Sequence, residues 1–137
     1  MIDSQKIDEA VRMFSGIPYR HGGRSKDGLD CLGLVYVFYK QLGIDLPDND
    51  GSPYPPDWYK KDRMRLYRGV QEIGKPVPVQ ELAPVDLVFF RIGGFVNHIG
   101  VMVSPDSFIH VLKGQRVHVS PLNAFWRRHL MGARRLT

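Results

Sequence analysis

The sequence predicts an α+β fold in which N-terminal helices pack on a central antiparallel sheet. In the first third of the 137-residue chain apolar residues recur at helical spacing, whereas after residue 84 they alternate with a period of two. Short turns join the segments of period two, as they do between antiparallel strands. Helices first and strands later are typical of α+β proteins. With 43% hydrophobic and 24% charged residues the chain fits one domain, which we expect to span residues 1–137.

Two helices are predicted in the first third of the chain. Apolar side chains at helical spacing predict an amphipathic helix over residues 4–15, ended by Gly16. Residues 31–42 are apolar on nearly every side, which indicates a helix at the centre of the core. Asp30 is a good N-cap for this second helix, because its carboxylate can accept the free amides of the first turn. Gly43 is a good stop signal.

The middle of the chain is predicted to be largely irregular. Residues 47–56 are rich in proline, aspartate, asparagine and glycine, which indicates a surface loop. Residues 57 to about 67 are predicted to form a short helix, with Trp58, Met64 and Tyr67 facing the core.

Strands follow Pro84, with one more helix near the end of the chain. The four predicted strands cover residues 86–90, 98–103, 107–112 and 116–119. We expect Ser120 to cap a last helix that runs to about His129. Residues 133–136 are expected to return as a strand at the edge of the sheet.

The charge of the chain favours anionic partners but does not indicate nucleic acid. The net charge is +5, and arginines cluster near the C-terminus. No zinc finger, helix-turn-helix or aromatic RNA-binding motif accompanies them, so we expect no nucleic-acid partner. The longest apolar runs are too short to span a membrane. The first residues lack an apolar run after a basic end, so we expect no signal peptide and synthesis in the cytoplasm, unless a leader has been removed.

Cys31 is the only cysteine and a candidate nucleophile. A lone free cysteine is more often a small buried hydrophobe than a catalyst. At a helix N-terminus, however, unsatisfied amides favour the thiolate, so we expect a lowered pKa for Cys31. A histidine would still be needed to take its proton and deliver it to a leaving amine.

Two of the five histidines are predicted to lie side by side. If residues 104–106 form the turn between two strands, Val103 pairs with Ser107. His98 and His110 then become diagonal neighbours on one face of the sheet, with Cα atoms about 7–8 Å apart. A slip by one residue would place them on opposite faces. In this register His98 can act as the base and His110 can orient its ring.

His118 and His129 are interpreted as surface or packing residues. Trp58 and Trp126 are interpreted as packing residues rather than as platforms for sugar rings.

The motifs around Cys31, His98 and His110 resemble the NlpC/P60 family of bacterial cell-wall cysteine peptidases. The matching segments, in chain order, are residues 18–23, 28–31, 33–35, 43–47, 84–90, 98–101 and 108–110. The resemblance implies a papain-like α+β fold and cleavage of peptidoglycan stem peptides, typically between γ-D-glutamate and the diamino acid. It implies Cys31 as the nucleophile, His98 as the base and His110 as the third member of a triad. Tyr19 matches a tyrosine thought to help stabilise the intermediate.

Two more residues are candidates for contact with the substrate. By resemblance Asp30, besides capping the helix, helps to hold the substrate amine. His21 lies in the loop before the nucleophile, where it either lines the cleft or is a plain loop residue. The backbone amide of Cys31 is a reasonable donor to an oxyanion.

Three positions depart from the family pattern. Leu32 stands where most members have serine, Val85 replaces a usual glycine, and residues 54–58 are unlike the common secreted enzymes. Leu32 and residues 54–58 look more like the version found in phage tails and phage-derived particles. We therefore expect tail or prophage structural proteins as partners, and delivery to the cell wall by a tail particle.

Three other functions stay open from the residues alone. A thiol–histidine site could hydrolyse or transfer a different amide or acyl group, or the chain could be a non-catalytic structural or wall-binding module. Zinc could bind one cysteine and two histidines, but no fourth ligand is evident, so we expect no metal and no cofactor.

Overall fold

A six-stranded antiparallel sheet organises the fold, seen in a computed structural model that describes residues 2–47 and 54–137. In the described residues the helices are α1 Ser4–Phe14, α2 Cys31–Gln41, α3 Trp58–Lys61, α4 Arg65–Gln71 and α5 Ala124–His129. The strands are β1 Arg24–Ser25, β2 Gly28–Leu29, β3 Lys75–Val77, β4 Leu87–Arg91, β5 Val96–Ser104, β6 Ser107–His110, β7 His118–Pro121 and β8 Leu130–Arg135. The large sheet has the order β3-β8-β4-β5-β6-β7, and β1 pairs with β2 in a small hairpin. The predicted α+β class is confirmed.

The two N-terminal helices form where the sequence predicts them. Asp3 caps α1 by accepting a hydrogen bond from the Gln5 amide. Asp30 caps α2 by accepting one from the Gly33 amide at 2.7 Å. Just after α2, Gly43 has a φ of 86°, which side chains other than glycine rarely adopt.

The sheet is covered on both faces. α1 and α2 pack on one face, where Leu34 and Phe38 meet Leu87, Ile99 and other side chains of β4, β5 and β6. On the opposite face, Trp126 of α5 packs with side chains of β4, β5, β6 and β8. Because side chains alternate along a strand, neighbouring residues of β5 contribute to two different cores.

The hairpin between β5 and β6 has the predicted register near the histidines and a different one at its tip. Val101 pairs with Ile109, as predicted. After the next pair the register shifts, so that Ser104 faces Ser107 and the predicted pairing of Val103 with Ser107 is wrong. A bulge inserts one residue, and here it is confined to the end of the hairpin.

Two predictions about the C-terminal segment are wrong. Asn123, not Ser120, caps α5 by accepting a hydrogen bond from the Trp126 amide, and Ser120 lies in β7. β8 is not an edge strand, because β3 pairs with its outer side and β4 with its inner side. β3 was not predicted, since Pro76 interrupts a segment of only three residues.

The prediction for residues 57–67 is partly wrong. α3 and the first part of α4 replace the single helix, and Met64 lies between them with 50% of its surface exposed. Trp58 and Tyr67 do pack against the core, as predicted. Residues 48–53 of the predicted loop lie outside the described residues.

No helix in the described part of the chain combines the length and the apolar character that crossing a bilayer requires.

Candidate active site

Cys31 is the first residue of α2, and its sulfur lies against β5. Hydrogen bonding by the backbone amides of Ile99, Leu32 and Cys31 itself lowers the thiol pKa. The Ile99 amide directly follows His98 in the chain, so the N-terminus of α2 reaches β5 beside the predicted base. No hydrogen bond joins Cys31 to His98 within residues 2–47 and 54–137; such catalytic bonds are often long before substrate binds.

The expected lowering of the Cys31 pKa is not found. Cys31 keeps some exposed surface, yet the dense protein around its sulfur and then the nearby charge of Asp30 raise the thiol pKa to about 12. These two effects outweigh the amides of the first helical turn. The resting group is therefore a neutral thiol.

His98 and His110 lie together as the register predicts. The Nε2 atom of His98 is 2.8 Å from the Nδ1 atom of His110. Both rings lie on the face of the sheet that α5 covers, and both contact Trp126, at centroid distances of 5.5 and 4.9 Å. This hydrogen bond leaves the Nδ1 atom of His98 as the ring nitrogen available to a reacting group.

Both histidines are neutral near pH 7. Burial, and then the charge of His118, lower the pKa of His98 to about 4. Burial, and then the charges of His98 and His118, lower the pKa of His110 to about 3. A neutral thiol beside neutral imidazoles indicates proton transfer during attack rather than a preformed ion pair.

Two residues of β7 extend the histidine pair and were not predicted as site residues. The Nε2 atom of His110 is 2.7 Å from the Oγ atom of Ser120. His118 pairs directly with His110, and their ring centroids are 4.7 Å apart. Sequence could not place them, because the register between β6 and β7 depends on a loop whose geometry the turn residues leave open.

The Asp30 carboxylate joins the glycine-rich loop to the start of α2. It accepts hydrogen bonds from the backbone amides of Gly22 and Gly33 at 2.8 and 2.7 Å. It also accepts hydrogen bonds from the Arg24 guanidinium and the Tyr54 hydroxyl. These four donors hold the carboxylate in place and fix the position of Cys31 beside it.

His21 belongs to the same cluster through Tyr54. Its Nε2 atom donates to the backbone carbonyl of Tyr54 at 2.7 Å, and the two rings meet edge to face at 5.0 Å. Tyr54 is only 9% exposed, although the surrounding composition predicted a surface loop. A single buried tyrosine among turn-forming residues gives no periodic signal, which explains why Tyr54 was missed.

Tyr19 lies close to Cys31. Its pKa is raised by burial and then by the charges of Cys31 and Asp30. Its backbone amide donates to the carbonyl of Gln115, which anchors the residue beside the turn before β7. Tyr19 is therefore a neutral phenol within the electrostatic reach of the Cys31 sulfur.

A cavity of about 220 Å³ opens next to this cluster. Leu32 and Ile99, the chain neighbours of Cys31 and His98, form part of its wall. Arg24, Tyr54 and Arg65 lie on its polar side. The wall also includes Glu72, and Arg24 is paired with Asp30, so the polar side carries both signs of charge.

Among the residues that the structure describes, no group of three or more His, Cys, Asp or Glu side chains is arranged to hold a metal ion.

Comparisons with known proteins point to one family. The profile of the NlpC/P60 family matches residues 16–135. Over 133 residues, 96% of the chain, it is 32% identical to the murein DD-endopeptidase MepS/murein LD-carboxypeptidase of Escherichia coli, of which it covers 62%. Over 116 residues, 82% of the chain, it is 30% identical to a gamma-D-glutamyl-L-lysine dipeptidyl-peptidase of Bacillus cereus, of which it covers 30%.

A solved structure shows the same fold. A crystal structure of an NlpC/P60 family protein from Bacillus cereus matches 98% of the chain and 40% of its own length, with a TM-score of 0.74 and 27% sequence identity. The chain thus spans less than two thirds of each of these three proteins.

Proposed function

Since the chain belongs to the NlpC/P60 family, we propose that it is a cysteine endopeptidase acting on peptidoglycan stem peptides. Cys31 is the nucleophile, His98 the base and His110 the residue that orients the base. The observation that carries the proposal is the hydrogen bond between His98 and His110. His98 lies in β5, the strand whose Ile99 amide contacts the Cys31 sulfur. The names of the relatives, which include a murein endopeptidase, support the substrate class.

The proposed reaction begins from neutral groups. The Nδ1 atom of His98 takes the thiol proton of Cys31 as the sulfur forms a bond to the substrate carbonyl carbon. The carbonyl oxygen becomes an oxyanion, to which the Cys31 amide donates, with the neutral Tyr19 hydroxyl as a second donor. The C–N bond then breaks, the leaving amine receives the proton from His98, and a thioester remains on Cys31.

Water completes the cycle. His98 takes a proton from a water molecule as its oxygen attacks the thioester carbonyl, and the proton then passes to the sulfur as the C–S bond breaks. The products are a free carboxylate and the original thiol. His110 keeps the His98 ring in place through both halves of the reaction.

We assign the scissile bond to γ-D-glutamate and the diamino acid. The name of the Bacillus cereus relative supports this bond, whereas the Escherichia coli relative is named as a DD-endopeptidase and an LD-carboxypeptidase. Arg65 in the wall of the cavity supplies a cation for a stem peptide, which carries carboxylates. Asp30 and His21 contribute by holding the loop that borders the nucleophile.

Mass spectrometry of digested muropeptides tests the function and the bond together. We expect wild type to release fragments ending in γ-D-glutamate and Cys31→Ala to release none. His98→Gln should lose about 10²-fold or more in rate, the loss typical of a general base. His129→Gln, which alters a histidine outside the cluster, should cleave like wild type.

Two results would contradict the proposal. Undiminished cleavage by Cys31→Ala would show that Cys31 is not the nucleophile. Cleavage only of acyl esters offered in parallel would show that the substrate is not a stem peptide. Fragments cut at a D-alanyl bond would agree with a peptidase but would overturn the assigned bond.

We also propose that the protein acts at the bacterial cell wall and is delivered there by a phage-tail or prophage particle. The sequence of residues 54–58 and Leu32 at the cavity wall motivate this assignment. Particles purified on a density gradient after prophage induction in the source bacterium should contain the chain by immunoblot. Its presence only in the particle-free fractions would contradict tail delivery.

A further inference from the structure

The hydrogen bonds that begin at His98 continue beyond His110 to a third side chain. The Nδ1 atom of His110 faces His98, and its Nε2 atom lies 2.7 Å from the Oγ atom of Ser120 in β7. His110 is fully buried, with 0% of its surface exposed, whereas Ser120 is half-buried. In the part of the chain that the structure describes, Ser120 is the hydrogen-bond partner of this nitrogen.

The direction of the hydrogen bonds in this chain decides whether His98 can be a base. To accept a proton at Nδ1, neutral His98 must carry its own proton on Nε2 and donate it to the Nδ1 atom of His110. His110 must then carry its proton on Nε2 and donate it to Ser120. If every bond ran the other way, His98 would carry a proton on Nδ1 and could not accept one from a thiol.

Ser120 is suited to accept in this arrangement. A hydroxyl accepts a hydrogen bond while donating its own hydrogen elsewhere, and half-burial leaves that hydrogen access to water. Without the hydroxyl, the productive direction would leave a buried N–H group of His110 unpaired. Unpaired buried N–H groups are rare in proteins because they lose the hydrogen bond that water supplied.

We propose that Ser120 is a positioning residue that keeps His110 in its Nε2–H tautomer and so keeps the Nδ1 atom of His98 free to accept a proton. The catalytic part of this inference rests on the proposed function, whereas the tautomer is a property of the folded chain alone. Ser120 acts through His110 and does not touch the reacting atoms.

Nitrogen-15 NMR of the imidazole rings near pH 7 tests the tautomer directly. Wild type should show His98 and His110 protonated at Nε2. Ser120→Ala should shift His110 towards the Nδ1–H form, and Ser120→Thr should restore the wild-type pattern. Ser107→Ala is the matched control, because the Ser107 hydroxyl bonds to Ser104 and to neither ring. Unchanged tautomers in Ser120→Ala would overturn the proposal.

Ser120→Val keeps the test decisive if Ser120→Ala does not fold. Valine and threonine have the same shape and both suit a strand, so they differ here only in the hydroxyl group. The tautomer of His110 should differ between Ser120→Val and Ser120→Thr. Identical spectra for these two variants would overturn the proposal.

Muropeptide cleavage supplies the catalytic readout. Ser120→Ala should lower kcat about tenfold with little change in KM, and Ser120→Thr should recover most of the rate. A shifted tautomer with an unchanged kcat would overturn the positioning role. If wild type cleaves no muropeptide, the proposed function fails, while the NMR comparison still decides the tautomer.

Discussion

Asp30 affects both the position and the thiol pKa of Cys31, the proposed nucleophile. Its carboxylate accepts hydrogen bonds from two backbone amides, from Arg24 and from Tyr54, so it locks the glycine-rich loop onto the start of α2. Its negative charge also acts on the neighbouring thiol and raises the pKa of Cys31. Placement and activation of the thiol therefore oppose each other at this residue.

Asp30→Asn should make Cys31 more reactive towards alkylating agents. The asparagine oxygen can still accept the Gly33 amide and cap α2, but the negative charge beside the sulfur is gone. Because a nearby like charge typically moves a pKa by one or more units, we expect the alkylation midpoint to fall by about one pH unit. The measurement is the rate of iodoacetamide labelling against pH.

Asp27→Asn is the control for this prediction. Asp27 is exposed, and its backbone amide donates to Ser25 rather than to the cluster around Asp30. Its labelling curve should match wild type. An unchanged curve for Asp30→Asn would show that burial alone raises the Cys31 pKa.

At the scale of elements, α2 sits against the glycine-rich loop without room for a side chain. A Cβ atom added at Gly33 would lie 1.9 Å from the carbonyl oxygen of Gly23 and 2.9 Å from a guanidinium nitrogen of Arg24. Contacts this short cannot exist, so the loop and the helix would have to separate. The same loop holds Gly22 against Asp30, so the spacing of α2 from the loop bears directly on the nucleophile.

Gly33→Ala and Gly69→Ala should change stability in opposite directions. Both glycines lie in helices, but a Cβ atom at Gly69 of α4 would meet nothing within 4 Å. Gly69→Ala should stabilise the protein by about 0.5–1 kcal/mol, the usual gain in an exposed helix. Gly33→Ala should destabilise it by about 1–3 kcal/mol, typical of overpacking.

Urea unfolding of the two glycine variants provides the measurement. Gly33→Ala should also cleave muropeptides more slowly, because the loop and the start of α2 separate. Equal free energies of unfolding for the two variants would show that the loop moves away from Gly33 without destabilising the fold.

The elements that the sequence predicted correctly are those with local signals. Periodicity and flanking residues predict α1, α2 and the strand that carries His98. The position of β8 inside the sheet depends on pairing with β3, some sixty residues away, so no local pattern could predict it. Ser120 precedes a proline, a pattern that predicts a helix cap, whereas its contact with His110 depends on the register of another hairpin.

The predicted pairing of His98 with His110 and the residues that the sequence missed differ in the same way. The short connection between β5 and β6 allowed His98 and His110 to be paired from spacing alone. Tyr54 and His118 join the site through packing between distant segments. The predicted lowering of the Cys31 pKa is wrong. The helix N-terminus lowers this pKa, but burial and the charge of Asp30 raise it by more. The single-domain interpretation of residues 1–137 stays a prediction.

At the scale of the whole molecule, folding keeps two histidines neutral inside the protein. The sheet and Trp126 of α5 together bury His98 and His110. Burial therefore lowers both pKa values well below that of an exposed histidine. The folded state must resist protonation that the unfolded chain accepts freely.

Stability should fall as the solution is acidified below about pH 6.5. Between 6.5 and about 4 the unfolded chain protonates His98 while the folded protein does not, so the free energy of unfolding rises with pH in this window. His98 alone should account for about 3 kcal/mol between pH 7 and pH 4. Urea unfolding at several pH values measures the slope.

Variants assign this slope to the buried pair. His98→Gln should have a shallower dependence on pH, whereas His129→Gln should follow wild type. Constant stability of the wild-type protein from pH 7 to pH 4 would mean that the pair is not held neutral by burial.

Trapping the thioester on Cys31 tests the proposed nucleophile most directly. Rapid acid quenching of wild type mixed with a stem peptide, followed by peptide mapping with mass spectrometry, locates the acyl group. We expect an adduct on the peptide containing Cys31, with the mass of the amino-side fragment, and none in Cys31→Ala. Cleavage that proceeds with the adduct on another residue would show that Cys31 is not the nucleophile, as would cleavage by Cys31→Ala.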